Sequence, residues 1–369
     1  MLIKIKSFVK KEAVFCISAL CAALTMLIVP PSAEYIEYID FRVLCLLFSL
    51  MAVVAGLKNV GAFRWLTCQL LSRIKNGRIL GVTLVLLPFF SSMLITNDVA
   101  LIVFVPFTLA LLSELGCSKS IVPVIVVQTV AANLGSMATP VGNPQNLYLY
   151  STYNLSYGEF SSAVLPLTLI SLIFLAVISV PAMPKNLPQA KILKEKIASK
   201  AHLSVYSVLF ILCLLTVLRI VPYQITTLVI IVTLLFIRRK LFKEIDYMLL
   251  LTFVCFFIVS ENLGKTEVIR AFLQELLKKN ALLTSVGTSQ IISNVPAAVL
   301  LSGFTENWKA LLQGVNIGGL GTPIASLASL ITLKFYLAHK DAKILKFLCV
   351  FTVVNIIGLA ILILFTLIN

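Results

Sequence analysis

The sequence predicts an all-α polytopic membrane protein. It is built from two inverted-topology repeats, each with a re-entrant helical hairpin and a broken transmembrane helix. Three observations lead there. First, 60% of the 369 residues are hydrophobic and 12% are charged, where soluble domains carry about 25% charge. Several apolar runs approach or exceed the ~17 residues that cross a bilayer. Second, the stretch 133–147, NLGSMATPVGNPQNL, returns at 316–330 as NIGGLGTPIASLASL. Asn133 pairs with Asn316, Gly135 with Gly318, Thr139 with Thr322, Pro140 with Pro323 and Leu147 with Leu330, all at an offset of 183. Third, a polar-tipped apolar pair around Asn97 returns around Asn294 at an offset of 197, which also carries Phe107-Thr108 onto Phe304-Thr305.

Composition excludes several classes. The net charge of +15 does not form one basic face. The charges lie between apolar runs, as loop charges that orient helices do, so nucleic acid is not an expected partner. The eight cysteines are scattered without a CxxC pair, and the only histidines are His202 and His339. That pattern holds no metal cluster, and the thiols read as small apolar side chains. The first apolar run, 13–29, follows Lys10 and Lys11. It is longer than a signal core and lacks a small-x-small cleavage site, so it reads as an uncleaved first span.

In order, the chain reads as spans at 13–29 and 41–57, then a basic segment at 58–78 with apolar residues at helical spacing, which suits the membrane surface. A hairpin follows at about 79–115, with Thr96-Asn97-Asp98 at its tip. A broken helix at about 119–150 and a span at 160–180 complete repeat 1, residues 1–183. A basic linker, 184–204, divides the chain. Residues 205–369 hold a connecting span (205–218) and repeat 2. This has spans at 222–237 and 246–259, an amphipathic piece at 265–279, a hairpin at about 281–305, a broken helix at about 308–335, and a last span at 344–368. The second hairpin is read by length. Its arms, 281–292 and 296–304, are too short for a ~30 Å core at 1.5 Å per residue. The first has longer arms and is read as a hairpin from its alignment with the second. The connecting span places the second unit upside down, an arrangement found in secondary transporters.

With the N-terminus in the cytoplasm, 23 of the 30 Lys and Arg residues fall on the cytoplasmic side. This bias supports that orientation, with the C-terminus outside a plasma (inner) membrane.

The breaks and tips bring four chain interruptions to mid-membrane. Gly135, Pro140, Gly142 and Pro144 remove helix propensity from the first break. Such backbone is tolerated in lipid only where it is buried in protein or lines a cavity. Thr96, Asn97, Ser293 and Asn294 are expected to cap the helices that follow, with Pro296 early in the second. Those helix starts suit an anion. The substrate set expected here is Thr96, Asn97, Asn143, Ser293, Asn294, Thr322 and Ser326. No Lys or Arg lies in the hairpins' tips or the breaks, so an anion would be held by helix ends, amides, hydroxyls and co-bound cations.

Freed carbonyls of GSMATP and GGLGTP, with side-chain oxygens, would hold a small cation such as Na+. The cation set is Asn97, Asn133, Gly135, Ser136, Thr139, Asn294, Asn316, Gly318 and Gly321, together with Asp98. Asp98 is the one ionisable residue between Arg78 and Glu114. A carboxylate there binds a cation, carries a proton, or caps its helix. Repeat 2 has Val295 in its place, so the two sites are chemically unequal.

The motifs ITNDVALIVFVPF, NLGSMATPVGNPQNL, SNVPAAVLL and GVNIGGLGTPIASLASL resemble the ion-transporter superfamily. It includes divalent-anion/sodium symporters, citrate carriers, arsenite permeases and NhaD-like sodium/proton antiporters. The resemblance covers nearly the whole chain. It implies a homodimer whose transport part moves against a scaffold as an elevator. The symporters carry Ser-Asn-Thr at each tip. Here Asn97 and Asn294 match while Asp98 and Val295 depart, which brings the tips closer to the arsenite and NhaD-like branch. The expected function is a secondary active transporter for a small carboxylate or inorganic oxyanion. It would be coupled to Na+ or H+ and need no other cofactor; arsenite efflux and Na+/H+ antiport are the alternatives. A passive channel does not account for inverted broken repeats. An intramembrane enzyme lacks a Ser/His or paired-carboxylate arrangement.

Overall fold

A computed structural model describes residues 12–71, 74, 76–186, 196–340 and 342–368. Residues 1–11 and most of the linker, 187–195, lie outside the described residues, so the basic N-terminus and linker expected above are only partly placed. The described chain is all-α, with one isolated antiparallel bridge between Asn76 and Asn186. Among the described residues, seven helices are long and apolar enough to cross a membrane, and four shorter ones are also apolar.

Helices α1 (Ala13–Met26) and α2 (Phe41–Asn59) open the chain. Asp40 caps α2 by accepting from Val43 N at 3.0 Å. The segment read as surface-bound forms α3 (Ala62–Leu71). The pair read above as the first hairpin is α4 (Gly77–Ser91) and α5 (Asn97–Glu114), of which α5 is itself long and apolar enough to cross a membrane. The first broken helix is α6 (Ser118–Ser136) and α7 (Pro144–Thr152), followed by α8 (Tyr157–Ser179), which starts with a Ser156/Glu159 capping box. The second half runs α9 (Lys200–Val217), α10 (Tyr223–Ile237), α11 (Tyr247–Gly264) and α12 (Glu267–Ile292), then α13 (Asn294–Ser302), α14 (Trp308–Ile317), α15 (Leu327–Leu337) and α16 (Ile344–Ile368).

Helix α12 is two helices joined at Asn280, whose φ/ψ of −162°/95° is not helical. The Asn280 side chain restarts the helix by accepting from Leu283 N at 2.9 Å. The amphipathic piece and the hairpin arm are therefore one continuous element with a kink. Both ends of the described linker are tied down, by Gly77 N to Lys185 O and Ala198 N to Val60 O.

The breaks are narrower than the repeated stretch suggests. Helix α6 continues through Asn133 to Ser136, and α7 starts at Pro144. A proline at the first helical position costs no hydrogen bond, because that N–H is unpaired in any helix. Asn143 caps the start by accepting from Asn146 N at 2.9 Å. The true gaps are 137–143 and 318–326.

Packing crosses between the halves. Helix α7, from the first break, packs on α13 of the second hairpin. Helix α15, from the second break, packs on α5 of the first hairpin. Within the first half, α4 packs on α6 at closest backbone range. A Cβ on Gly135 would lie 2.1 Å from Phe89 O. Backbone cannot swing away as a side chain can, so Gly135→Ala is expected to cost about 3 kcal/mol. A melting curve of the purified protein reads this as a lower midpoint. Gly287→Ala, where a Cβ meets nothing within 4 Å, leaves the midpoint unchanged or higher.

Candidate functional site

Each hairpin tip is held by the backbone of the break beside it. Asn97 N donates to Gly142 O at 3.1 Å, and Asn294 N donates to Ala325 O at 3.0 Å. These bonds correspond under the two offsets, since 97 and 294 differ by 197 while 142 and 325 differ by 183. A second pair corresponds in the same way. Thr139 Oγ1 donates to Met93 O, and Thr322 Oγ1 donates to Gln290 O at 3.2 Å.

The tip residues do not cap their helices as expected. Thr96 and Ser293 occupy the cap positions, yet neither side chain accepts from its helix. Asn97 Oδ1 reaches only the next amide, Asp98 N, at 3.0 Å. Ser293 Oγ donates instead to Ala325 O at 3.3 Å and to Asn294 Oδ1 at 3.5 Å. For Ser293 the break carbonyl of Ala325 takes the hydroxyl, because burial leaves no water to satisfy that carbonyl. Ser293 is also held at φ +75°, a conformation rare for a side-chain-bearing residue and common where a structure constrains a site.

At the centre, two asparagines join the halves. Asn133 Oδ1 accepts from Asn97 Nδ2 at 2.9 Å and from Ser326 Oγ at 3.0 Å, while its Nδ2 donates to Gly319 O at 3.4 Å. Asn316 Oδ1 accepts from Asn143 Nδ2 at 3.2 Å, and its Nδ2 donates to Asn146 Oδ1 at 2.7 Å. The pattern is reciprocal. Asn133 binds the residue that opens α15, and its counterpart Asn316 binds the residue that opens α7. Asn143 Nδ2 also donates to Ser136 Oγ at 3.1 Å, which in turn donates to Asn133 O at 2.8 Å. Asn97, Asn133, Ser136, Asn143, Asn294, Asn316 and Ser326 are all buried. Thr322 is exposed, and its hydroxyl faces the second hairpin.

Several of the break carbonyls expected to receive a cation are already engaged. Asn146 Nδ2 lies 3.2–3.3 Å from Ser136 O, Met137 O and Thr139 O. In the second half, Gln290 Nε2 donates to Gly318 O and Leu320 O at 2.9 Å and to Val286 O at 3.3 Å. Gln290 Oε1 accepts from Thr322 N at 2.9 Å, completing the staple. An amide nitrogen thus takes three carbonyls of the first break, and another takes two carbonyls of the second break together with one of its own helix. Gly321, at φ +107°, makes room for Gln290, since a Cβ there would lie 2.2 Å from its Oε1. Gly318 likewise sits against Ser289, 2.7 Å from where its Cβ would be. Asn146 and Gln290 escaped the sequence reading. Asn146 lies in the repeated stretch, but its partner at offset 183 is Ser329, so no matched pair marks it.

Asp98 sits in the first turn of α5. Among the described residues, no donor or cation pairs with its carboxylate. Asn97, Asn133 and Ser326 thus form one connected cluster. Asp98 lies beside it through Asn97, and Thr96 and Thr139 lie at its edge with partly exposed side chains.

The family model described as citrate transporter matches residues 1–307. An uncharacterized transporter of Methanocaldococcus jannaschii is 32% identical over 331 residues, covering 89% of this chain and 90% of that one. The inner membrane protein YbiR of Escherichia coli is 30% identical over 300 residues, 80% of each chain. The silicon efflux transporter LSI3 of Oryza sativa is 38% identical over 128 residues, 35% of this chain and 26% of that protein.

Proposed function

The chain belongs to the citrate-transporter family and is a membrane transporter, not an enzyme; on that premise we propose that it moves a small anion, a carboxylate or an inorganic oxyanion, by secondary active transport. The reading places it in the plasma membrane as a homodimer, with inverted repeats and an elevator-like motion of hairpins and breaks against the remaining helices. The observation that carries it is the reciprocal asparagine lattice. Both breaks and the first hairpin tip meet there in buried, neutral hydrogen-bonding groups. Such a centre suits a ligand bound by amides and hydroxyls at broken helix ends.

For coupling, the same geometry favours H+ over Na+. Amide nitrogens already take three carbonyls of the first break and two of the second, where a break cation would compete with them. Among the described residues Asp98 has no pairing group, and its carboxylate is able to take up a proton. One further observation favours export of a neutral oxyacid as the second reading: a relative is named a silicon efflux transporter.

Purified protein in proteoliposomes tests both. Citrate, phosphate, arsenite and silicic acid are supplied in turn under an imposed pH gradient or an imposed Na+ gradient. Concentrative movement of one of them, driven by the pH gradient, is the expected result. Equilibration without accumulation under either gradient defeats the secondary-transport reading in favour of a channel.

A further inference from the structure

A cavity of about 460 Å³ lies between the first hairpin and the surface helix. Its walls come from α5, the end of α2, the start of α3, and α15 through Phe335. Two cations line it, Lys58 and Arg64, and the remaining lining is apolar, including Phe63, Pro106 and Phe107. Both cations are exposed, and among the described residues neither is in an ion pair. The neighbouring acid, Glu244, accepts from Asn59 Nδ2 at 2.7 Å.

The setting points to lipid. Helix α3 carries exposed Trp65 and Leu66 beside Arg64. An amphipathic helix with an exposed tryptophan and basic residues lies at the headgroup level of a membrane. A free, fully hydrated anion gains nothing from aromatic and proline walls. An amphiphile matches both parts, with its anionic head on the two cations and a chain along the apolar face. Basic pockets between helices on the cytoplasmic side are suited to anionic headgroups.

We propose that this cavity is a binding site for an anionic phospholipid of the inner leaflet, its phosphate held by Lys58 and Arg64 and an acyl chain packed on Phe63, Phe107 and Phe335. The proposal rests on the orientation adopted above, with the N-terminus in the cytoplasm. The bound lipid wedges between α5 and the α2–α3 corner. Asp98 lies nine residues from Phe107 on α5, about 13 Å at the helical rise. The lipid thus braces the arm that carries the tip.

Native mass spectrometry of the full chain from nanodiscs of phosphatidylcholine with phosphatidylglycerol tests this without using transport, so its failure is separate from failure of the transporter reading. Wild type is expected to retain phosphatidylglycerol over phosphatidylcholine. The double variant Lys58→Gln, Arg64→Gln should bind it about 30-fold more weakly, the worth of two basic contacts at a membrane surface. The double variant Lys240→Gln, Lys243→Gln, also on the expected cytoplasmic side, should retain it. Displacement of the lipid by inorganic phosphate would show a soluble-anion site and overturn the proposal. Equal loss in both double variants would show general surface attraction and overturn it too, as would no lipid preference in wild type.

Discussion

Asn133→Ala abolishes transport while the helices remain folded. The expected effect is large because one oxygen serves two buried donors, Asn97 Nδ2 and Ser326 Oγ, from different halves. Alanine leaves both donors in a site with no other acceptor assigned to them. A buried donor without a partner costs about 1–3 kcal/mol. Two such losses, at about 2 kcal/mol each, disfavour the assembled site by roughly a thousandfold. The loss falls on the contact between the first tip and the start of α15, so it separates the halves where they cooperate. Asn316→Ala is the matched test, since it removes the partner of Asn143 and Asn146. Initial rates in proteoliposomes at equal incorporation measure the effect, with circular dichroism as the folding control. Rates within about threefold of wild type, on a scale where ~0.7 kcal/mol is threefold, would make the lattice structural packing only. Asn97→Ala removes one donor from the same oxygen and sits between these extremes. Asn294→Ala probes the second tip, whose side chain receives Ser293 Oγ.

Much of this arrangement was legible in the sequence, and the limits have physical reasons. The two offsets, 183 and 197, singled out Asn97, Asn133, Asn294 and Asn316, and the structure gives corresponding backbone bonds at both tips. Helix type followed from apolar runs, whose signal is strong in membrane chains, while the pieces read at 265–279 and from 281 proved to be one kinked element. The length of each break was less legible. Pro144 reads as a breaker in sequence but starts a helix in space, because its missing N–H falls where none is needed. The caps were misread for a related reason. A Ser or Asn before a helix satisfies whichever buried group is nearest, and here those groups are the Ala325 carbonyl for Ser293 and the Asn133 amide oxygen for Asn97, 32 and 36 residues away along the chain. Gln290 was invisible because a long flexible amide has no fixed target until the fold supplies one. Its three carbonyls come from its own helix and from residues 28 and 30 positions on.

Asp98→Asn uncouples transport from the proton while sparing substrate exchange. Asp98 is the carboxylate of the first tip, and position 295 in the second tip is a valine. Its carboxylate has no pairing group among the described residues. Helix α5 offers it the N-terminal dipole. An ionised carboxylate in that setting is expensive unless it takes up a proton or a cation. The amides of Asn146 and Gln290 occupy several of the break carbonyls, which favours the proton over a metal cation. The sign follows from charge. Protonation neutralises Asp98, and a neutral tip accepts an anion more readily than a negative one. Substrate binding in the wild type should therefore strengthen as pH falls and weaken as pH rises. Asparagine keeps the size and the polar oxygen of the protonated acid but cannot release a proton. The variant should bind substrate with little pH dependence, exchange labelled for unlabelled substrate at near wild-type rates, and fail to accumulate it under a pH gradient. Counterflow and gradient-driven uptake, measured side by side across pH, separate the two activities. If the variant keeps the wild-type pH profile and still accumulates substrate under the gradient, Asp98 serves only the helix dipole, and coupling rests on the uncharged ligands around Asn133 and Asn316.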